Sequence, residues 1–239
     1  YVKAKFKLIK NQSKDDFAIL NNKNYYIKRE LKLKNFLPKI IKIKKNIDSK
    51  LLKKIDNQYF NTSGNRENLR FTLEVAKILK LKKNILIQTL KKFKGLKYRQ
   101  EIIFQSKKLT IINDSKATTF SSSASLLSSM SNVYWIVGGQ AKKGDKLLLS
   151  KKKCKNFKAY IFGSNKNFFI NKIKRFMNYE SFFDLKSLIK KLSLKIKSDK
   201  KMIHKTILFS PSAASFDNFK NFEQRGEYFN QLVKKYINE

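Results

Sequence analysis

The chain has very little of what would staple it or bind a metal unaided. Its 239 residues include one cysteine, Cys154, and one histidine, His204. That excludes a disulfide framework and leaves too few soft ligands for a zinc site, and it fits a cytoplasmic protein. His204 lies beside an apolar run and fits a surface or strand-edge position better than a catalytic one. No stretch of about 18 unbroken apolar residues occurs, and no charged segment leads into an apolar one, so neither a membrane span nor a signal peptide is expected. Acidic residues are also scarce, 17 against 55 lysines and arginines, for a net charge of +38. By itself that balance favours a nucleic acid or an anionic membrane as partner. The lysines, however, are spread along the chain among Asn and Ile, as an A+T-rich coding bias would spread them, and form no basic arm. The reading is a solvated basic surface whose field helps recruit polyanions such as nucleotides, with no specific nucleic acid, no membrane insertion and a monomeric state.

What is present can build a core, since 41% of residues are apolar and 13% aromatic. Residues 1–11 (YVKAKFKLIKN) read as the end of an amphipathic helix, and Phe17 to Leu20 as a strand. Ile40 to Ile43 read as an edge strand. Leu69, Leu73, Val75, Ala76 and Leu79 supply the apolar face of a helix from Asn65, and a second runs from Asn84 to Phe93. After Arg99 strands and helices alternate: strands at 101–104, 109–113, 133–137, 158–162 and 206–209, helices near 120–130, before Ile173, at 183–197 and after Ser215. That alternation predicts an α/β fold with a mostly parallel sheet covered on both faces, with ligands at the C-terminal strand ends. The chain begins at Tyr1 inside a helical pattern, so a piece of a longer protein is expected.

The most distinctive stretch is ILFSPSAASFDNFKNFEQRG, from Ile207 to Gly226. An apolar strand and a turn of small residues lead into a helix that the pattern places from Ser215. Ser215 serves as its N-cap, Asp217 falls in the first turn, and Phe216, Phe219, Phe222, Phe229, Leu232 and Val233 share one face. A strand, a bare loop and a helix N-terminus together suit an anion. Two more polar clusters follow predicted strands: Asn113-Asp114-Ser115-Lys116-Ala117-Thr118, and Gly138-Gly139-Gln140-Ala141-Lys142, where two glycines admit close approach and a lysine offers a compact charge. Upstream stand GNREN (64–68), GLKYR (95–99) and YVKAK (1–5). Asn65 and Asn68, three apart, share a helical face. Arg99 fits a surface ion pair or a phosphate contact, and Phe222 fits the core or a ligand.

In this order, these segments resemble the signatures of the bacterial Mur ligases, and among them the branch that accepts D-glutamate. The departures are Thr119 for a final Asn after NDSKAT, Gly64 for a usual histidine, and Tyr98 for the histidine of GL-x-HR. The resemblance implies a Rossmann-like C-terminal domain at 99–239, preceded at 1–98 by the incomplete C-terminal part of an α/β, ATP-binding central domain. It implies an ATP- and Mg2+-dependent amide ligase of peptidoglycan synthesis, with D-glutamate and UDP-N-acetylmuramoyl-L-alanine as substrates. Asn65, Asn68, Arg99 and Asp114 would hold ATP. Lys116, Thr118, Lys142, Ser215, Phe216 and Phe222 would form the D-glutamate pocket, and Lys5, carbamylated, would help hold magnesium. No G-x-x-x-x-G-K-[ST] loop is present, and no Asp-His pair precedes Lys5. These 239 residues alone are therefore expected to be inactive. The alternatives are another Mur or folylpolyglutamate-type ligase, or a basic nucleic-acid-binding protein.

Overall fold

The computed structural model describes residues 2–33, 35–199 and 203–237, so Tyr1 of the YVKAK segment lies outside the described residues. The chain divides into two compact units, residues 1–94 and 95–239. Among the described residues no helix is long and apolar enough to cross a membrane.

The first unit runs α1 (Val2–Lys10), β1 (Phe17–Leu20), α2 (Tyr25–Leu33), β2 (Lys39–Lys42), α3 (Ser49–Ile55), a 3-10 turn at Gln58–Asn61, α4 (Ser63–Ile78) and α5 (Lys83–Lys92). β1 and β2 pair in parallel, with Ala18 opposite Ile40. Phe6 and Ile9 of α1 bury against Ala18, while Ile55, Phe60, Leu69 and Leu90 form a second small core. α4 starts two residues earlier than its apolar pattern suggests. Thr62 is its N-cap, accepting from the Asn65 N–H at 3.3 Å. The sequence reading did not find α2. Only Glu30 is buried on it, so an apolar stripe is missing, although Asn24 Oδ1 accepts from the Tyr26 N–H as a cap would.

In the second unit the elements are β3 (Glu101–Gln105), β4 (Leu109–Asn113), α6 (Phe120–Leu127), β5 (Val133–Gly138), β6 (Lys158–Phe162), α7 (Lys166–Ile173), β7 (Asn178–Ser181), α8 (Leu185–Ser198), β8 (Lys205–Phe209) and α9 (Phe222–Tyr236). The six strands lie in the order β3-β4-β8-β5-β6-β7. β3 is antiparallel to β4 and every other pair is parallel. The four central strands are apolar at nearly every position because both faces are covered. Ile112, Trp135, Val137, Ile161 and Leu208 face α6 and α7, while Ile111, Ile136, Tyr160, Ile207 and Phe209 face α8 and α9. Phe209 and Phe229 stack at 4.2 Å between ring centres and fix α9 to the sheet.

The last helix corrects the sequence reading. It begins at Phe222, not Ser215, and its N-cap is Asn221, whose Oδ1 accepts from the Gln224 N–H at 2.8 Å. Gln224 Oε1 accepts from the N–H of Lys220, the residue before the cap, at 2.7 Å, so these two bonds together set the boundary. Ser215 ends a buried loop and its carbonyl closes one isolated turn with the Phe219 N–H. Phe216 is 71% exposed and is not on the helix at all. Asn221→Ala should therefore destabilise the protein by about 1 kcal/mol in denaturant unfolding. No loss on that substitution would put the helix start elsewhere.

Candidate functional site

β4, β8 and β5 are neighbours, so the loops that leave their C-terminal ends lie side by side. The chain leaves β4 and β5 toward the face of α6 and α7 but leaves β8 toward α9, and such a divergence opens a crevice at the strand ends. The segments 113–118, 138–142 and 210–215 line that edge.

A buried arginine joins two of these loops. Arg225, on the first turn of α9, is 0% exposed. Its Nε donates to Ser115 Oγ (3.1 Å), Nη1 to the Ala214 carbonyl (3.1 Å), and Nη2 to the carbonyls of Ser115 (2.7 Å) and Ala213 (3.0 Å). Burial pulls its pKa down to about 10, opposed by the charge of Asp217, so it stays a cation at neutral pH. Ser115 Oγ passes the contact on to the Phe222 carbonyl at 2.8 Å. Asn113, also fully buried, donates from Nδ2 to the Gly226 carbonyl and to Asn230 Oδ1, and its Oδ1 accepts from the Ser115 N–H.

The third loop is tied in through backbone. Gly138 and Gly139 have φ of +147° and +125°. A Cβ on Gly138 would lie 2.1 Å from the Phe162 carbonyl oxygen, and one on Gly139 2.7 Å from that of Ala214. Only glycine fits this approach, which lets Gln140 and Ala214 exchange two backbone hydrogen bonds at 3.0 and 3.1 Å. Below the loops, the hydroxyls of Ser123, Ser210 and Ser212 meet at 2.6 Å, and Trp135 Nε1 donates to the Ser210 carbonyl at 2.8 Å. Sequence reasoning placed Asn113 in a polar cluster and Ser210 and Ser212 in the turn of small residues without giving any of them a role, and it missed Ser123 and Arg225. Only the run of small polar residues in an otherwise Lys-rich chain signals them.

Asp114 sits at the centre, 6% exposed. Its Oδ1 accepts from the Gln100 N–H at 3.2 Å and its Oδ2 from Ser210 Oγ at 2.9 Å. Burial pushes its pKa up to about 7, against these two hydrogen bonds and the nearby charge of Arg99. Arg99 is exposed and, among the described residues, forms no ion pair. Lys116 reaches over the Phe222 ring with its Nζ 3.8 Å from the centroid, so these two predicted residues do come together. Thr118, Lys142 and Phe216 stand exposed on the three loops, and Ser215 is buried beneath them. Thr119, in place of the expected Asn, caps α6. Tyr98, in place of histidine, donates from its hydroxyl to Glu227 at 2.8 Å and accepts the Lys116 N–H on its carbonyl. Burial and then Glu227 push its phenol up to about 12.

Lys5, Asn65 and Asn68 belong to the first unit. Lys5 is exposed on α1. Asn65 is buried and its Nδ2 donates to the Tyr59 carbonyl at 2.8 Å, whereas Asn68 is exposed one turn further along α4. His204 closes a strand-edge contact with Thr110 Oγ1 at 3.1 Å.

No family model matches the chain. Curated proteins do. The chain is 29% identical over 256 residues to the UDP-N-acetylmuramoylalanine–D-glutamate ligase of Rickettsia felis, covering 100% of this chain and 57% of that protein. It is 30% identical over 253 residues to that of Rickettsia prowazekii (99% and 57%), and 36% identical over 176 residues to that of the Wolbachia of Brugia malayi (73% and 35%). It thus spans 57% or less of the length of these relatives. Among solved structures, the UDP-N-acetylmuramate–alanine ligase of Thermotoga maritima gives a TM-score of 0.46 at 13% identity, over 73% of this chain and 38% of that one.

The Asp114 carboxyl keeps its proton in the folded state to a higher pH than an unfolded aspartate, whose pKa is about 3.9. Its contribution to stability is therefore present below about pH 4 and is lost as pH rises through about 7. In denaturant unfolding across that window, Asp114→Asn should flatten the decline relative to the unsubstituted chain. Parallel pH curves for the two would refute the assignment.

Proposed function

We propose that the chain is a member of the Mur ligase family, on its similarity to relatives named UDP-N-acetylmuramoylalanine–D-glutamate ligase, and that it holds the incoming amino acid for an ATP-dependent amide ligase that adds D-glutamate to UDP-N-acetylmuramoyl-L-alanine in peptidoglycan synthesis. The observation that carries the reading is the set of three loops held side by side at one sheet edge, with Lys116 on one and Lys142 on another. An amino acid with two carboxylates is matched by two compact ammonium groups on a fixed frame. Residues 1–98 would then be the part belonging to the ATP-binding central domain and 99–239 the amino-acid-binding domain.

In this proposal Lys116 and Lys142 each hold a carboxylate of D-glutamate, with Thr118, Ser215 and the backbone at Phe216 completing the pocket. Phe222 sets the direction of Lys116 through its ring face. The D-glutamate amine then attacks the carbonyl carbon of an acyl phosphate formed on the L-alanyl carboxylate, the C–O bond to phosphate breaks, and phosphate leaves. The contribution of this chain is to place that amine, which lowers the barrier by removing orientational freedom beforehand.

ATP supplies the phosphoryl group of the acyl phosphate. The exposed guanidinium of Arg99 suits one of its phosphates. Asp114 is proposed at the ribose, Asn65 and Asn68 at the adenine, although the Asn65 amide group already serves Tyr59. For magnesium the described residues do not fit on their own, since no three of His, Cys, Asp or Glu come together as ligands. Lys5 is kept as the proposed carbamylated residue, and no step is derived through the metal.

The test is phosphate release by the complete gene product with ATP and UDP-N-acetylmuramoyl-L-alanine, comparing D-glutamate with L-glutamate, L-lysine and D-alanine. Only D-glutamate should support turnover, and Lys142→Ala should raise its KM by about 10- to 100-fold, the loss of one charge-assisted contact of about 1.5–3 kcal/mol. Equal turnover with L-lysine or L-glutamate would overturn the D-glutamate assignment.

A further inference from the structure

A cluster of lysines lies at the opposite edge of the large sheet, away from the loops described above. Lys158 opens β6, Glu180 is on β7, Lys195 on α8 and Lys205 opens β8. Glu180 bonds closely to Lys158 and lies 3.9 Å from Lys195 Nζ through the same oxygen. Lys205 is paired separately with Asp199. Tyr134 of β5 and Tyr160 of β6 complete the walls. The Nζ of Lys195 lies 5.6 and 5.8 Å from their ring centres, that of Lys205 5.6 Å from Tyr134, and that of Lys158 5.7 Å from Tyr160. Lys191, on the same helix as Lys195, adds a further positive charge near Glu180.

Two ammonium groups thus share one carboxylate, and the sharing is unequal. Lys158 has the close contact and Lys195 the distant one, so Lys195 is the less stabilised cation of the pair. An ammonium crowded by another cation in a partly desolvated site releases its proton readily and becomes a nucleophile. With its side chain 36% exposed, Lys195 is also within reach of a small reagent. We propose that Lys195 is a covalent modification site whose neutral amine is acylated by small acyl phosphates. Its Nζ lone pair attacks the carbonyl carbon, the C–O bond to phosphate breaks, inorganic phosphate leaves, and one N–H proton passes to solvent. The product is an uncharged amide. That ends the repulsion between the two lysines and leaves the Lys158–Glu180 pair intact.

The titration of the group agrees with the geometry. Burial, then the neighbouring Lys158 ammonium, bring Lys195 down to about 8, while Glu180 opposes them. A larger neutral fraction, offset by the weaker nucleophilicity of a less basic amine, amounts to an advantage on the order of tenfold near neutral pH.

The experiment treats the folded chain with acetyl phosphate at about pH 7.5 and follows each lysine by peptide mass spectrometry. Lys195 should be consumed about tenfold faster than the median exposed lysine, and the excess should vanish in denaturant. Lys158→Met should slow Lys195 toward the median, because the crowding cation is gone and Glu180 is free to pair with it. Glu180→Gln should speed it. A rate at or below the median in the folded chain would overturn the proposal, as would a rate unchanged by Lys158→Met.

Discussion

The second unit depends on a guanidinium that is fully buried and, among the described residues, forms no ion pair. Arg225 is fully buried, and its four hydrogen bonds go to three backbone carbonyls and one hydroxyl. Removing a cation from water is costly, and neutral acceptors offset that cost only when they surround it in good geometry. The loop after β4 and the loop after β8 must therefore both stand where their carbonyls converge. Asp217 contributes only at longer range, so the arrangement is held mainly by dipoles. Three of the four acceptors are main-chain atoms, so it is chiefly the loop backbone that is fixed.

The remaining features of the site accommodate that clamp. Ala213 and Ala214 have no side chain that could crowd the guanidinium. Gly139 brings the β5 loop against Ala214 on its other side, so the same short segment is held from two directions. The serine trio and Trp135 satisfy the polar groups of the turn from below. Lys116 and Lys142 are then displayed outward from a base that is rigid and mostly neutral, which suits them to meet an anion.

The sequence made the central strands legible because a strand buried on both faces is a continuous apolar run, as in Ile207-Leu208-Phe209 and Trp135-Ile136-Val137. It hid β7, because Asn178-Tyr179-Glu180-Ser181 is an edge strand with mostly exposed side chains. The phenylalanine spacing after Ser215 imitated a helix face, whereas the capping bonds of Asn221 and Gln224 set the boundary. Segment order drew attention to Lys116 and Lys142, which the fold places on the loops after β4 and β5. The role of Arg225 could not be read, since its acceptor at Ser115 is 110 residues away and nothing local in EQRG distinguishes a buried arginine from a solvated one.

The strand order bears on how the molecule is made. β8 is the last strand in the chain, yet it lies between β4 and β5. During synthesis β4 can pair early only with β3, and β5 only with β6, so two partial sheets each present an open edge until β8 emerges. The loop that Arg225 grips, and Arg225 itself, come later still. A chain built this way cannot assemble these three loops while it is still being translated. Between the synthesis of β5 and that of β8 the nascent chain exposes two unpaired strand edges, the kind of surface on which partly made chains aggregate.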